Sequence, residues 1–213
     1  MHNQKPRIFV FYGYKGSGKD TCYEMLNDRY ACNRIGFADP VREAVWNLFS
    51  YKIIDRERLW GNIEKKEEEI IGWTIPEDVR ERNGFEEKYW TGRRLLQWFG
   101  TEVARHTEDS VWLEMFKKTW RQNPNNITVV TDCRFDNEYN MLKSLEQEGA
   151  EVTFFKVNRD DEKAQTGSFS SHASEQDIAK FRPDVSILNT GTLEDLVDEL
   201  YPKVFSLFTM SLN

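Results

Sequence analysis

The sequence predicts an α/β fold in which five strands alternate with helices. Three stretches predict it. Ile8–Tyr12 is an unbroken apolar run that leads into a glycine-rich segment, a lysine and a helical segment, Asp20 to Asp28. Asn126–Asp132 is a second such run, β-branched and bounded by Pro124 and a polar cluster. Glu151–Val157 is a third, and two shorter strands, Arg34–Ala38 and Asp184–Asn189, complete the set.

After the first strand, Gly13 opens a stretch in which Gly16 and Gly18 free the backbone to turn and point its N–H groups inward. Lys19 closes it. Strand, glycine loop, lysine and helix is the arrangement that cradles phosphate at a helix N-terminus. Gly13-x4-Gly18-Lys19 fits the P-loop spacing, but Asp20 stands where Ser or Thr normally gives a hydroxyl to magnesium. Thr21 comes one place late, about 100° further round a helix, so it is no simple substitute. A glycine-rich hairpin with a chance lysine is the plain alternative; the strand before and the helix after argue against it.

The strand Arg34–Ala38 ends at Asp39-Pro40, with Asp39 expected as N-cap and Pro40 as the first residue of a helix to about Phe49. Arg42 falls in the first turn, a poor place for a cation unless an anion sits nearby. An ordinary solvated arginine is the equal alternative. Residues 52–90 change character: lysine and glutamate crowd together, interrupted by Gly61, Gly72, Pro76 and Gly84. They are expected to form an irregular or helical excursion with a solvated charged face. Trp60, Trp73 and Trp90 are expected to anchor it to the body rather than stack on a base.

From Thr91 the pattern is helical, with Leu95, Phe99 and Val103 at four-residue spacing and Leu96 widening the stripe. Arg93 and Arg94 again put cations in a first turn. Gly100 costs such a helix about 1 kcal/mol relative to Ala, which points to close packing or a ligand. Ser110 to Trp120 is a further helix, whose Trp112, Met115, Phe116 and Trp120 form a core face.

The second long strand ends in Asp132-Cys133-Arg134, and a helix runs on to about Gln147. Carboxyl ends of parallel strands border the ligand crevice, which places Asp132 and Arg134 where chemistry happens. Arg159 ends the next strand. Residues 160–175 are small and polar, suited to a lid. Thr192 is placed to cap the last helix, with Leu193, Leu196, Val197, Leu200, Val204 and Phe208 on its inner face and a kink at Pro202.

A chain of 213 residues makes one large domain with an excursion. The division expected is a core of 1–50 and 126–213, an acceptor-binding region of about 51–125, and the lid. The net charge of −7 speaks against a nucleic-acid coat or a membrane surface, yet leaves room for small phosphorylated ligands held by local arginines. Cys22, Cys32 and Cys133 are odd in number and lack metal spacing, so they read as reduced thiols in a cytosol-like compartment. MHNQKPR has no signal-peptide core, and no apolar run approaches a membrane span.

GYKGSGKDT at 13–21, ADPVREA at 38–44, RRLLQWFGTE at 93–102 and TDCRFDNE at 131–138 occur in one order, followed by SHASE at 171–175 and LNTGTLEDL at 188–196. In these the chain resembles the phage-type deoxynucleoside monophosphate kinases, P-loop kinases of the nucleoside monophosphate kinase fold. Asp20 is itself shared with that family; residues 52–90 have no motif to align. The resemblance implies a parallel sheet of order 2-3-1-4-5 with helices on both faces. It implies transfer of the γ-phosphoryl group of ATP to a deoxynucleoside 5′-monophosphate, with Mg2+ as cofactor, in the cytoplasm (that of the host if phage-encoded). The partners are then ATP and the deoxynucleotide, without nucleic acid or membrane, and a homodimer is left open.

The ATP site would comprise Gly13, Lys15, Gly16, Ser17, Gly18, Lys19, Asp20 and Thr21, with Asn189 and Gly191 at the adenine. Lys19, Arg134 and Arg159 would act on the moving phosphoryl group. Asp39, Arg42, Arg93, Arg94, Gln97 and Trp98 would hold the acceptor. Asp20, directly or through water, and Asp132 are the metal-ligand candidates. His172 fits a hinge or hydrogen-bonding residue of the lid better than a catalyst. Animal-type phosphomevalonate kinase shares the GKD loop and the strand-ending Asp-x-Arg, and dephospho-coenzyme A kinase resembles the closing segment. A non-catalytic nucleotide-binding protein is the rival of another class, although it would need only one phosphate site.

Overall fold

The computed structural model describes residues 5–14, 16–122, 127–159 and 177–210. Along the chain run β1 (Arg7–Tyr12), α1 (Lys19–Tyr30), β2 (Asn33–Arg34), α2 (Asp39–Phe49), α3 (Glu57–Trp60), α4 (Ile63–Glu67), β3 (Glu69–Thr74) and α5 (Glu77–Asn83). There follow β4 (Tyr89–Thr91), α6 (Gly92–Gln97), a π-helix (Trp98–Arg105), α7 (Val111–Gln122) and β5 (Ile127–Val130). The chain continues with α8 (Asp136–Ser144), a 3-10 turn (Leu145–Glu148), β6 (Glu151–Asn158), β7 (Val185–Leu188) and α9 (Leu193–Met210). It divides into two compact units: residues up to Gly36 together with those from Lys118 onward, and Phe37–Lys117.

The first unit is built on a five-stranded sheet in the order β2-β5-β1-β6-β7, every pair parallel. Numbered within the sheet alone, this is the expected 2-3-1-4-5. β1 lies in the middle and all six of its residues are buried, as a strand covered on both faces requires. Its Val10 stands level with Val130 of β5 and Phe154 of β6. Phe11 stacks on Phe155 with centroids 4.7 Å apart, and Phe9 meets the same ring edge-on at 5.5 Å. Cys22 and Leu26 of α1 and Leu196, Leu200 and Val204 of α9 close over this cluster. Each such side chain contributes about 1.5–3 kcal/mol on burial. Cys22, Cys32 and Cys133 are free and buried. Burial pushes the Cys22 thiol to about 12 and Cys32 to about 11, so both stay protonated packing groups. No helix among the described residues is long and apolar enough to cross a membrane.

β2 is shorter than expected. Only Asn33 and Arg34 pair with β5, although the Ile35 N–H still donates to the Val129 carbonyl at 3.1 Å. The chain then turns at Phe37 and Ala38 into α2. Asp39 is not the N-cap: Ala38 occupies that place in helical conformation, without a side-chain cap. The Asp39 carboxylate instead takes a hydrogen bond from Arg42 Nη1 at 2.6 Å. Leu193, expected inside, is 67 % exposed because it is the first residue of α9, whereas Leu196 and Leu200 further along are buried.

The second unit holds its own core of Val45, Ile53, Leu59, Ile70, Ile75, Val79, Trp90 and Leu95. Trp90 lies at its centre, with Trp73, Phe85 and Trp98 at centroid distances of 6.0, 6.4 and 5.2 Å. Trp60 packs edge-on against Trp46 at 6.3 Å. The tryptophans thus build this unit's interior. Trp90 is 3 % exposed and offers no face to a base. The charged stretch also contains an antiparallel pair, β3 with β4, that its composition hides. Glu69 pairs with Thr91 and Thr74 with Tyr89, and the register shifts between them, where Gly72 takes φ +84°.

The helix expected from Thr91 begins as predicted, with the Thr91 hydroxyl accepting from the Arg94 N–H at 3.1 Å. From Trp98 it widens into a π-helix, whose i→i+5 bonds break four-residue spacing. Phe99 is therefore only half-buried and Val103 is exposed. Gly100 is explained by packing. A Cβ there would lie 3.2 Å from Val41 Cγ1, and its carbonyl accepts the Trp112 indole N–H at 2.9 Å. On α7, Trp112, Phe116 and Trp120 are buried as expected, but Met115 is 40 % exposed.

Candidate active site

The loop after β1 is shaped by two close approaches. Gly13 has φ +149°, and a Cβ there would sit 2.4 Å from the Val157 carbonyl oxygen. Gly18 has φ +102°, and its Cβ would meet Asn189 Nδ2 at 2.4 Å. Side chains at either place would push the loop off the ends of β6 and β7. Gly18 is also the N-cap of α1 and supplies no side-chain cap. The first-turn N–H groups of α1 are thereby left for an anion, at the positive end of the helix dipole.

Lys19 is half-buried at the start of α1. Its Nζ donates to the carbonyls of Gly13 at 3.0 Å and Tyr14 at 2.8 Å, and to Ser17 Oγ at 3.4 Å. Burial lowers its pKa to about 8, and the nearby Arg134 charge pushes the same way. A buried ammonium held only by neutral oxygens, next to another cation, is a group awaiting negative charge.

Arg134 follows β5. The buried carboxylate of Glu138 accepts its backbone N–H at 2.8 Å and that of Phe135 at 3.1 Å, which fixes the turn. The Arg134 side chain is exposed. Arg159, past the end of β6, donates from Nη1 to the Gly16 carbonyl at 3.2 Å. Asn189, past β7, donates from Nδ2 to the Ser17 carbonyl at 2.8 Å, and its backbone N–H reaches the Asn158 carbonyl at 2.7 Å. Two strand ends thus grip the loop by its carbonyls.

Against the loop lies a cavity of about 440 Å3 lined by Gly16, Gly18, Lys19, Asp20, Thr21, Arg159, Asn189, Gly191, Thr192, Leu193 and Leu196. One end is cationic and glycine-rich, the other is formed by the start of α9. There the Thr192 N–H and hydroxyl both donate to Asp195 Oδ2, at 2.7 and 2.8 Å, and the Asp195 N–H donates back to Thr192 Oγ1 at 3.2 Å. This reciprocal cap holds Gly191 close: a Cβ there would meet Asp195 Oδ2 at 2.2 Å. Asp20 lies on the wall with Oδ1 accepting from Arg34 Nη2 at 2.9 Å and Thr131 Oγ1 at 2.8 Å.

In the second unit every arginine singled out from the sequence has a carboxylate partner. Arg42 pairs with Asp39, Arg93 with Glu67, and Arg94 Nε with Glu87 Oε1 at 2.7 Å. Arg94 Nη1 also donates to Gln97 Oε1 at 3.3 Å. The Glu87 carboxyl is raised by burial, but hydrogen bonds from Arg94 and the backbone outweigh this and hold it below the usual range.

Residues 59–200 match the model of a family described as deoxynucleotide monophosphate kinase. The chain belongs to that family. A protein of Acanthamoeba polyphaga mimivirus named as a deoxynucleotide monophosphate kinase is 28% identical over 204 residues, 88% of this chain and 91% of its own. The deoxynucleoside-5'-monophosphate kinase of Escherichia phage T5 is 26% identical over 174 residues, 62% of this chain and 70% of its own. Among solved structures, dephospho-CoA kinase from Campylobacter jejuni aligns over 97% of this chain and 98% of its own, with TM-score 0.46 and 14% identity.

The residues that the sequence singled out fall in both units of this deoxynucleotide monophosphate kinase family member. The first unit brings Gly13, Gly16, Ser17, Gly18, Lys19, Asp20, Thr21, Asn189 and Gly191 to one loop and its cavity, with Arg159 beside them. Asp39, Arg42, Arg93, Arg94, Gln97 and Trp98 belong to the second unit. Lys15 and the segment 160–175 with His172 lie outside the described residues. Sequence reasoning missed Arg34, Thr131 and Asp195. Asp195 carried a signal, since Thr192 and Asp195 stand at capping-box spacing; Arg34 and Thr131 carried none, for each acts through a side chain distant in sequence.

Proposed function

We propose a division of labour for the reaction of this family, transfer of the γ-phosphoryl group of ATP to a deoxynucleoside 5′-monophosphate. The observation that carries it is Lys19, a half-buried ammonium that donates to two carbonyls and the Ser17 hydroxyl at a helix N-terminus without a side-chain cap. Lys19 and the first N–H groups of α1 receive the β- and γ-phosphates. The adenine lies toward Gly191–Leu193. Arg134, whose backbone is fixed by Glu138 while its side chain is exposed, and Arg159 follow the phosphoryl group as its charge spreads in the transition state. Arg42, Arg93 and Arg94 exchange their carboxylate partners for the acceptor phosphate, with Gln97 and Trp98 beside it. No general base is needed, because the acceptor is already an oxyanion.

The donor types fit Mg2+, which takes one or two carboxylates and completes its shell with water and phosphate. Asp20 and Asp132 are of this kind, Asp20 on the cavity wall and Asp132 next in sequence to Thr131, whose hydroxyl donates to Asp20. When bound, the cation neutralises charge on the β- and γ-phosphate oxygens. Asp20→Ala is expected to raise the Mg2+ requirement. The negative net charge supports small phosphorylated partners rather than nucleic acid.

The test is ADP release from ATP and Mg2+ with a panel of nucleoside and deoxynucleoside monophosphates. Turnover of at least two deoxynucleotides is expected. Turnover of phosphomevalonate, and of no nucleotide, would replace this reading.

A further inference from the structure

A carboxylate beside a triphosphate is unfavourable unless something positive accompanies it. Lys19 does not pair with Asp20; its three hydrogen bonds go to Gly13, Tyr14 and Ser17. Arg34, from β2, does. Its Nη2 donates both to Asp20 Oδ1 and to Thr131 Oγ1, each at 2.9 Å, while the Thr131 hydroxyl is 2.8 Å from the same Oδ1. The triangle joins α1, β2 and the end of β5. Thr131 is buried and fixed, whereas the side chains of Arg34 and Asp20 are 40% and 65% exposed and free to exchange partners. Both bonds fall on one carboxylate oxygen, so Oδ2 keeps its lone pairs for another cation. A resting place for the guanidinium exists as well, since its Cζ lies 5.4 Å from the centre of the Tyr23 ring.

We infer that Arg34 is an internal counter-cation for Asp20, which neutralises that carboxylate toward nucleotide phosphate until Mg2+ takes its place. The inference rests on the ATP site proposed above and goes beyond it. Arg34 is a positioning residue: it need not touch nucleotide, and its effect depends on whether metal is present. It also gives a reason for a P-loop to tolerate aspartate at the hydroxyl position. The charge that would repel phosphate is matched by one supplied from the neighbouring strand.

The experiment is calorimetric binding of ADP to the whole protein, once with a chelator and once with saturating Mg2+. Arg34→Gln is expected to weaken metal-free ADP binding by about tenfold, the effect of one unit charge a few ångströms from a diphosphate at partial exposure. With Mg2+ its affinity should stay within about twofold of wild type, close to the spread of exposed ion pairs. Adding Asp20→Asn to Arg34→Gln should restore metal-free binding, and Arg34→Lys should largely retain it, which separates charge from folding. An equal loss with and without Mg2+ would make Arg34 a plain phosphate ligand and overturn the inference. No loss in either condition would leave it an exposed ion pair and overturn it too. Wild-type protein that bound no ADP in either condition would overturn the ATP site itself.

Discussion

Of the cations singled out from the sequence, Lys19 in the sheet unit is held differently from Arg42, Arg93 and Arg94 in the second. In the sheet unit, Lys19 is held by backbone carbonyls and Ser17, and the Arg134 side chain is exposed. In the second unit, Arg42, Arg93 and Arg94 are each tied to a carboxylate. Neutral oxygens orient a cation without cancelling its charge, so the first arrangement keeps a positive field for a polyanion. Carboxylates orient and cancel, so the second must exchange one anion for another. The hydrogen bonds of Lys19 go to neutral oxygens, while in the second unit a phosphate would have to open existing ion pairs. A cation in a helix first turn calls for an anion, and Asp39, Glu67 and Glu87 supply one to Arg42, Arg93 and Arg94.

The largest effect that sharpens this contrast belongs to Arg134. If it serves the transition state, Arg134→Lys keeps the charge and loses the planar fork that spans two oxygens. By analogy with removing one preorganised donor, kcat should fall about 10²-fold or more, with little change in either KM. Steady-state kinetics with both substrates varied would show it. Retention of more than about a tenth of wild-type kcat would pass the role to Arg159.

The middle of the sheet was legible because β1 and β5 are buried on both faces and read as continuous apolar runs; Ile8–Tyr12 and Asn126–Asp132 were found within a residue or two. The loop was legible because Gly13, Gly18 and Lys19 do local work at fixed spacing. What stayed hidden depends on side chains meeting from afar. The triangle of Asp20, Arg34 and Thr131 spans 111 positions between two of its members. The β3–β4 pair escaped because Gly72 breaks its alternation, Ile71 is exposed rather than inward, and charged residues flank it. The π-helix at Trp98 escaped because four-residue apolar spacing announces an ordinary helix and nothing in it marks the wider turn.

A middling effect concerns Lys19 and pH. Its pKa in the free protein is lowered from 10.5 to about 8 by burial and by Arg134. Nucleotide phosphates favour the charged form and raise it again. Binding above about pH 8 must therefore take up a proton, and affinity should fall by up to about tenfold per pH unit there. Calorimetry near pH 8.5 in buffers of different ionisation enthalpy should register the uptake, and Lys19→Met should abolish it. For folding the sign is opposite. Between about 8 and 10.5 the unfolded chain binds more protons at this residue than the folded one, so its contribution to stability grows as pH rises through that window.

The smallest effect concerns the paired arginines of the second unit. Arg94 donates to Glu87 at 2.7 Å and to Gln97 at 3.3 Å, with its guanidinium 5.0 Å from the centre of the Phe85 ring. Phe85 and Gln97 hold the arginine even when the glutamate is neutralised. If Glu87 competes with the acceptor phosphate, Glu87→Gln removes the competitor and leaves Arg94 in position. KM for the deoxynucleotide should then fall, by up to about fivefold, the upper range of what a partly exposed pair is worth. Arg94→Ala should raise the same KM, and KM for ATP should move with neither. If instead Glu87 is needed to aim the guanidinium, Glu87→Gln will raise the deoxynucleotide KM as Arg94→Ala does. The sign of that one change decides whether the paired cations of the second unit are stored charge or a rigid scaffold.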